Sequence, residues 1–215
     1  MNLEKVKGKL FRDLRAELDD PTVLNAMFEV QREAFVSGNL RCLAYENMPL
    51  AIAEEQTISQ PQIVAKMISL LSLRGSDKVL EVGTGSGYQA AILSLLAATV
   101  VTTERFKSLI DVAKKRLRLL GYENVIAREA GDIMGSSADA PFDAIVVAAA
   151  APRLPRDLLD QLASNGRMMI PVGPRQSQDL LLVVKSEEGY SVTNHGKCRF
   201  VPLVGPSAWD TFDAI

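Results

Sequence analysis

From Pro61 onward the chain alternates short apolar runs with stretches of helical period, and this alternation limits the fold more than any other feature. A helix is predicted from about Pro61 to Leu73, then the strand Lys78 to Val82, a glycine-rich turn, and a helix carrying Ala90, Ala91, Leu93 and Leu96. Thr99 to Thr103 is the next β-branched run. An amphipathic helix from about Phe106 to Leu120 follows and stops at Gly121, a C-cap signal. Asn124 to Arg128 and Phe142 to Ala148 supply two more strands, the second followed by a helix from about Arg156 to Ala163. Apolar strands separated by helices imply an α/β fold whose mostly parallel sheet is covered on both faces. Right-handed crossovers then make it doubly wound.

The flanks read differently. Leu3, Val6, Leu10, Leu14 and Leu18 recur at steps of three and four, which predicts an amphipathic N-terminal helix. Asp20-Pro21 reads as an N-cap with proline at the first helical position of a second helix running to about Phe28. No period persists from Ser37 to Gln60, and an idle connection rarely exceeds about 12–15 residues, so that segment is read as functional. In the tail, Arg167 to Val172, Leu180 to Lys185, Tyr190 to Thr193 and Cys198 to Leu203 come without long helices between the last of them. They are expected to add antiparallel strands at one edge.

Composition removes several function classes. The 215 residues suit one domain. With 47% hydrophobic and 23% charged residues the chain has enough apolar mass for a full core. A net charge of −2 offers no positive field to gather phosphates, so nucleic acid is a poor partner. The charged N-terminus lacks a signal-peptide core, and no later run reaches the roughly 18 apolar residues of a membrane span. A cytoplasmic protein is expected. Cys42 and Cys198 form no C-x-x-C pair and are expected to be buried free thiols, without metal. The single histidine, His195, is expected in a solvated turn, which excludes mechanisms built on paired histidines.

Val79-Leu80-Glu81-Val82-Gly83-Thr84-Gly85-Ser86-Gly87-Tyr88 carries the most chemistry. Glycines at alternate positions after a strand let the backbone turn sharply against a ligand. The dinucleotide motif G-x-G-x-x-G needs glycine at the sixth place, where Tyr88 stands, so the run fits S-adenosylmethionine better than a nicotinamide cofactor. Glu81 suits the ligand's ammonium. Glu104, 23 positions on and directly after the second core strand, suits ribose hydroxyls. Gly131-Asp132 follows the third, where Asp132 suits an adenine amino group. Taken singly, Glu104 also reads as a solvated helix-terminal charge and Asp132 as a turn former. All three together fall on the edge where open α/β sheets bind ligands.

Other runs extend the pattern: Arg32-Glu33-Ala34-Phe35-Val36, Ala44-Tyr45-Glu46-Asn47, Gln56-Thr57-Ile58-Ser59-Gln60-Pro61, Ala148 to Pro152, Pro171-Val172-Gly173 and Phe200-Val201-Pro202-Leu203. With these the chain resembles the protein-L-isoaspartate (D-aspartate) O-methyltransferases over most of its length. Thr57-Ile58-Ser59 before a proline, with the Phe-Val-Pro-Leu tail, is the most specific part. The resemblance implies a class I S-adenosylmethionine-dependent methyltransferase fold, Rossmann-like. Residues 1–60 would form N-terminal helices and a substrate loop, 61–165 the cofactor core, and 166–215 strands beside the substrate cleft. It implies methyl transfer to the free α-carboxylate of L-isoaspartyl residues in damaged proteins and peptides, with D-aspartyl sites as a further candidate. The ester would then close to a succinimide, which returns part of the material to aspartate.

By the same resemblance Ser59 is the active-site serine, Thr57 and Ile58 shape the pocket, and Val201 offers backbone groups to the peptide. Glu81, Gly83, Thr84, Gly85, Ser86, Gly87, Glu104, Asp132 and Ile133 form the cofactor set. Ser59 also reads as a helix cap near Pro61. The family usually has glycine where Ala53 stands, many bacterial members have another at Glu55, and Ile133 replaces the second glycine of Gly-Asp-Gly. These departures keep a second reading in play, a silent S-adenosylmethionine-binding paralogue or a methyltransferase of another carboxylate. A nicotinamide dehydrogenase and a nucleic-acid methyltransferase fit less well; the latter lacks an Asn/Asp-Pro-Pro-aromatic run at Ala149-Ala150-Ala151-Pro152.

Overall fold

The computed structural model describes residues 3–205 and 207–210. Two helices open the chain, α1 (Leu3–Glu17) and α2 (Pro21–Glu29). Pro21 takes the first turn of α2, and the Asp20 carboxylate accepts from Val23 N at 3.0 Å, satisfying one of the donors a helix start leaves free. Short 3-10 turns at Arg32–Ala34 and Gly38–Leu43 lead to a two-stranded hairpin, β1 (Leu50–Ala51) and β2 (Thr57–Ile58). The aperiodic segment is therefore a hairpin framed by tight turns.

The core then alternates as the periodicity predicts: α3 (Pro61–Leu71), β3 (Lys78–Val82), α4 (Tyr88–Ser94), β4 (Thr99–Glu104), α5 (Lys107–Leu119), β5 (Val125–Glu129), β6 (Phe142–Val147), α6 (Arg156–Asp160) and β7 (Leu162–Val172). Strands β8 (Gln178–Ser186) and β9 (Gly189–Cys198) complete a seven-stranded sheet of order β5-β4-β3-β6-β7-β8-β9. The first five are parallel, and β8 and β9 are antiparallel. Both faces are buried with a period of two. Val79, Ala144 and Val146 pack under α1 to α4, while Leu80, Val82, Ile145 and Val147 pack with Leu158 of α6 on the other face. Each large aliphatic chain so buried contributes about 1.5–3 kcal/mol.

Five expectations need correction. α6 ends at Asp160, not near Ala163, because Phe142 N donates to Gln161 O and the chain is already extended along β6. Arg167 to Val172 is part of a parallel strand, since the crossover through α6 restores the direction of β6. Past Cys198 the chain leaves the sheet: Pro202 has no N–H for a ladder, and the expected strand to Leu203 is reduced to an isolated bridge between Pro202 and Ala150. His195 lies in β9, half-buried, with its carbonyl accepting from Lys66 Nζ at 2.6 Å. Cys42, at the surface end of a 3-10 turn, is an exposed thiol; Cys198 is half-buried, and burial pushes its thiol up to about 11.

At the amino-terminal edge of the sheet, Arg167 ties α3 to β3 and β6. Its guanidinium donates to Leu71 O at 2.6 Å, Ser72 O at 2.8 Å and Asp143 O at 3.1 Å, and pairs with the buried Asp77 carboxylate. Removing it strands Asp77 as an uncompensated buried charge. Arg167→Ala is expected to lower the free energy of unfolding by about 3–5 kcal/mol in urea titration.

Candidate active site

A cavity of about 640 Å³ opens over the carboxyl ends of β3, β4 and β6, where the strand order reverses. The segment Glu81–Gln89, except Gly87, forms one wall, Glu104–Phe106 a second, and Ile133–Gly135 a third. Thr57–Ser59 from the hairpin and Val201–Gly205 from the tail close the remaining side.

Gly83 N and Thr84 N donate to Thr103 O at 2.9 and 3.1 Å, which holds the start of the glycine turn against the neighbouring strand. Gly85 sits at φ +50°, and a Cβ there would come within 3.4 Å of Ile52 Cδ1, so the hairpin leans directly over this turn. Gly87 serves packing: a Cβ would meet Leu117 and Ala113 of α5 at 3.4–3.5 Å. Arg116 of α5 donates to Ser86 O at 2.6 Å and so clips the outer side of the turn.

Two carboxyl groups stand at adjacent strand tips. Glu104 is buried and each oxygen accepts one backbone N–H, Gly85 at 2.9 Å and Phe106 at 3.0 Å. The solvated-charge reading of Glu104 is thereby excluded, and each oxygen keeps a lone pair for a further donor. Glu81 is fully buried and accepts from Thr102 Oγ1 at 2.5 Å, with Thr84 Oγ1 2.6 Å from that hydroxyl. Its second oxygen, Oε1, has no hydrogen-bond partner among the described residues, and neither does Gln89 Nε2. Burial pushes the Glu81 carboxyl up to about 8; the Thr102 hydrogen bond opposes that rise, the Glu104 charge adds to it, and the neighbouring Gln89 amide opposes it more weakly.

On the opposite wall Thr57 is exposed, Ile58 buried and Ser59 half-buried. The cap position of α3 is Gln60, without a side-chain cap bond, so Ser59 is not the helix cap. Its carbonyl accepts from Arg32 Nη2 at 2.8 Å, and its hydroxyl has no partner among the described residues. The Val201 carbonyl accepts from Ala150 N at 2.8 Å, and Leu203 N donates to Ala150 O at 2.8 Å, which fixes the tail segment to the end of β6. Between the walls the hairpin turn places Glu54 and Glu55 at φ +58° and +56°, and Glu54 Oε1 accepts from Ser108 Oγ at 2.5 Å.

Of the residues singled out from sequence, Ser59, Thr57, Ile58, Val201, Glu81, Gly83, Thr84, Gly85, Ser86, Glu104 and Ile133 wall one cavity. Asp132 is exposed beside Gly131 and Ile133 and is not among the lining residues. Sequence reasoning missed Gln89, Arg105, Phe106 and Met134 as wall residues. Gln89 left one signal, a polar group at the start of an otherwise apolar helix.

Between the ordinary glutamate pKa of about 4.3 and about 8, the native protein holds a proton on Glu81 that the unfolded chain has released. The free energy of unfolding therefore declines with rising pH across that window and levels off above it. In the ligand-free protein, thermal melts from pH 5 to pH 8 are expected to fall more steeply for wild type than for Glu81→Gln.

The chain matches the family described as protein-L-isoaspartate(D-aspartate) O-methyltransferase over residues 5–208. A protein-L-isoaspartate O-methyltransferase 1 of Syntrophobacter fumaroxidans is 45% identical, covering 98% of this chain and 99% of its own. One from Protochlamydia amoebophila is 49% identical over 90% of this chain and 93% of its own. Among solved structures, a protein-L-isoaspartate O-methyltransferase superposes with a TM-score of 0.84 at 28% identity, over 94% of this chain and 67% of that one. A Plasmodium falciparum protein described as a member of this enzyme class, in complex with S-adenosyl-L-homocysteine, gives 0.77 at 25% identity over 90% and 96%. Sheet order, cavity walls and relatives agree, and the chain belongs to the protein-L-isoaspartate (D-aspartate) O-methyltransferase family.

Proposed function

We infer that this protein is an S-adenosylmethionine-dependent methyltransferase that esterifies the free α-carboxylate of L-isoaspartyl residues, and of D-aspartyl residues, in damaged cytosolic proteins and peptides. The observation that carries the reading is one cavity lined both by Glu81, whose Oε1 lacks a hydrogen-bond partner among the described residues, and by Ser59, whose hydroxyl likewise lacks one. The wall fits the cofactor: Glu81 Oε1 supplies an acceptor for an ammonium, Glu104 supplies free lone pairs for ribose hydroxyls, and Gly83 and Gly85 admit close backbone approach. Asp132, exposed at the rim, would reach an adenine only from its outer edge.

When bound, the cofactor supplies an electrophilic methyl group. The acceptor needs no base, because an α-carboxyl with a pKa of about 3.3–3.7 is ionised at neutral pH. The work of the protein is orientation. Ser59 Oγ–H donates to one carboxylate oxygen and so aims the other, Val201 holds the peptide through its backbone, and Ile58 with Leu203 excludes water. Alignment of this kind supplies about 7–11 kcal/mol of a barrier. The residues that carry it are intact despite Ala53, Glu55 and Ile133, which favours an active enzyme over a silent paralogue.

The decisive experiment incubates the protein with methyl-labelled cofactor and matched aspartyl and isoaspartyl peptides. Base-labile ester is expected on the isoaspartyl peptide alone; S-adenosylhomocysteine binding with no ester on either would overturn the reading. Ser59→Ala is expected to lower kcat by roughly 10–100-fold, the loss of a hydrogen bond to a charged group of about 1.5–3 kcal/mol, with S-adenosylhomocysteine affinity unchanged. For Glu104→Ala, calorimetry is expected to give S-adenosylhomocysteine binding weaker by about 1.5–3 kcal/mol.

A further inference from the structure

Arg32 is fully buried, yet no carboxylate pairs with it among the described residues. Two arms of its fork are committed to carbonyls: Nε donates to Ala44 O and Nη2 to Ser59 O, each at 2.8 Å. The third nitrogen, Nη1, meets no hydrogen-bond acceptor at bonding distance among the described residues. The guanidinium carbon lies 4.8 Å from the centre of the Tyr88 ring, and Tyr88 is the residue directly after the glycine turn. Tyr88 meets Phe35 edge-on at 5.7 Å, and Arg116 lies 5.7 Å from the Phe35 ring while holding Ser86 O. A continuous stack, Arg32, Tyr88, Phe35, Arg116, thus joins the backbone of Ser59 to the backbone of Ser86.

A buried guanidinium without a counter-ion is costly to keep for stability alone, and an apolar residue of like volume fills such a space better. Its planar fork instead fixes two carbonyls in one plane, which an ammonium on a flexible stem does not do. We propose that Arg32 is a positioning residue: it sets the Ser59 backbone, and through it the hydroxyl, at a fixed distance from the glycine turn. The proposal rests on the function inferred above for Ser59. Arg32 acts on the acceptor side of the cavity, while Arg116, at the other end of the stack, holds the cofactor side through Ser86 O.

The test uses Arg32→Lys in the full chain, alone and combined with Ser59→Ala. kcat on an isoaspartyl peptide is expected to fall by roughly 10²-fold, as when reacting groups are misplaced by about an ångström, with affinity for S-adenosylhomocysteine unchanged. In the Ser59→Ala background the same substitution is expected to add nothing further. Losses that multiply in the double variant, or affinity that falls in step with kcat, would overturn the proposal. A readout independent of activity is amide hydrogen exchange in the cofactor-free protein. Exchange over residues 57–60 is expected to quicken in Arg32→Lys and stay constant over 79–82; equal change in both, or none, also overturns it. Should Arg32→Lys not fold, Tyr88→Leu removes the ring beneath the guanidinium and carries the same exchange comparison. If wild type forms no ester, the functional reading fails while exchange still decides the role of Arg32.

Discussion

Parallel pairing of β3 with β4 on one side and β6 on the other sends successive crossovers to opposite faces of the sheet, and no connection covers the carboxyl edge between them. The crevice left there is the reason that Glu81, Glu104 and the glycine turn face one space. Burying two carboxyl groups on neighbouring strands is unfavourable in a dry site, and the protein resolves it asymmetrically. Glu104 is held by two backbone donors, while Glu81 has one hydroxyl and a raised pKa. A cation entering the crevice removes the remaining penalty.

Loops around this edge are held by buried amide side chains where no ladder exists. Gln178 Oε1 accepts from Phe200 N at 2.9 Å, and its Nε2 donates to Pro174 O and Arg175 O. Gln161 does the same for the third wall, accepting from Ser136 N at 2.8 Å and donating to Met134 O at 2.7 Å. Irregular backbone can be buried only when its polar groups find partners, and these two amides supply them. The backbone leading into two of the cavity's walls is held in place for that reason.

The parallel core was legible because buried strands and helices have separate periods, and the strand Lys78–Val82 matches its sequence boundaries. The carboxyl-edge rule then located Glu81 and Glu104 without any knowledge of side-chain contacts. Three things escaped. Parallel pairing of β7 depends on the crossover through a five-residue helix that periodicity overextended. The placement of Phe200–Val204 depends on Ala150, fifty residues earlier in sequence, and no local pattern records it. Arg32 sits in an aperiodic stretch where a buried cation looks the same as an exposed one. Left-handed positions were half visible: Asn165 at φ +60° is of a residue type that tolerates this region, whereas Glu55 at φ +56° bears a strain that glycine would not.

The cavity draws one side from residues 57–59 and 201–205, which lie far apart in sequence, and another from the glycine turn after β3. A variant that loses residues 201–205 therefore opens that side of the cavity to solvent, however well its central sheet is made.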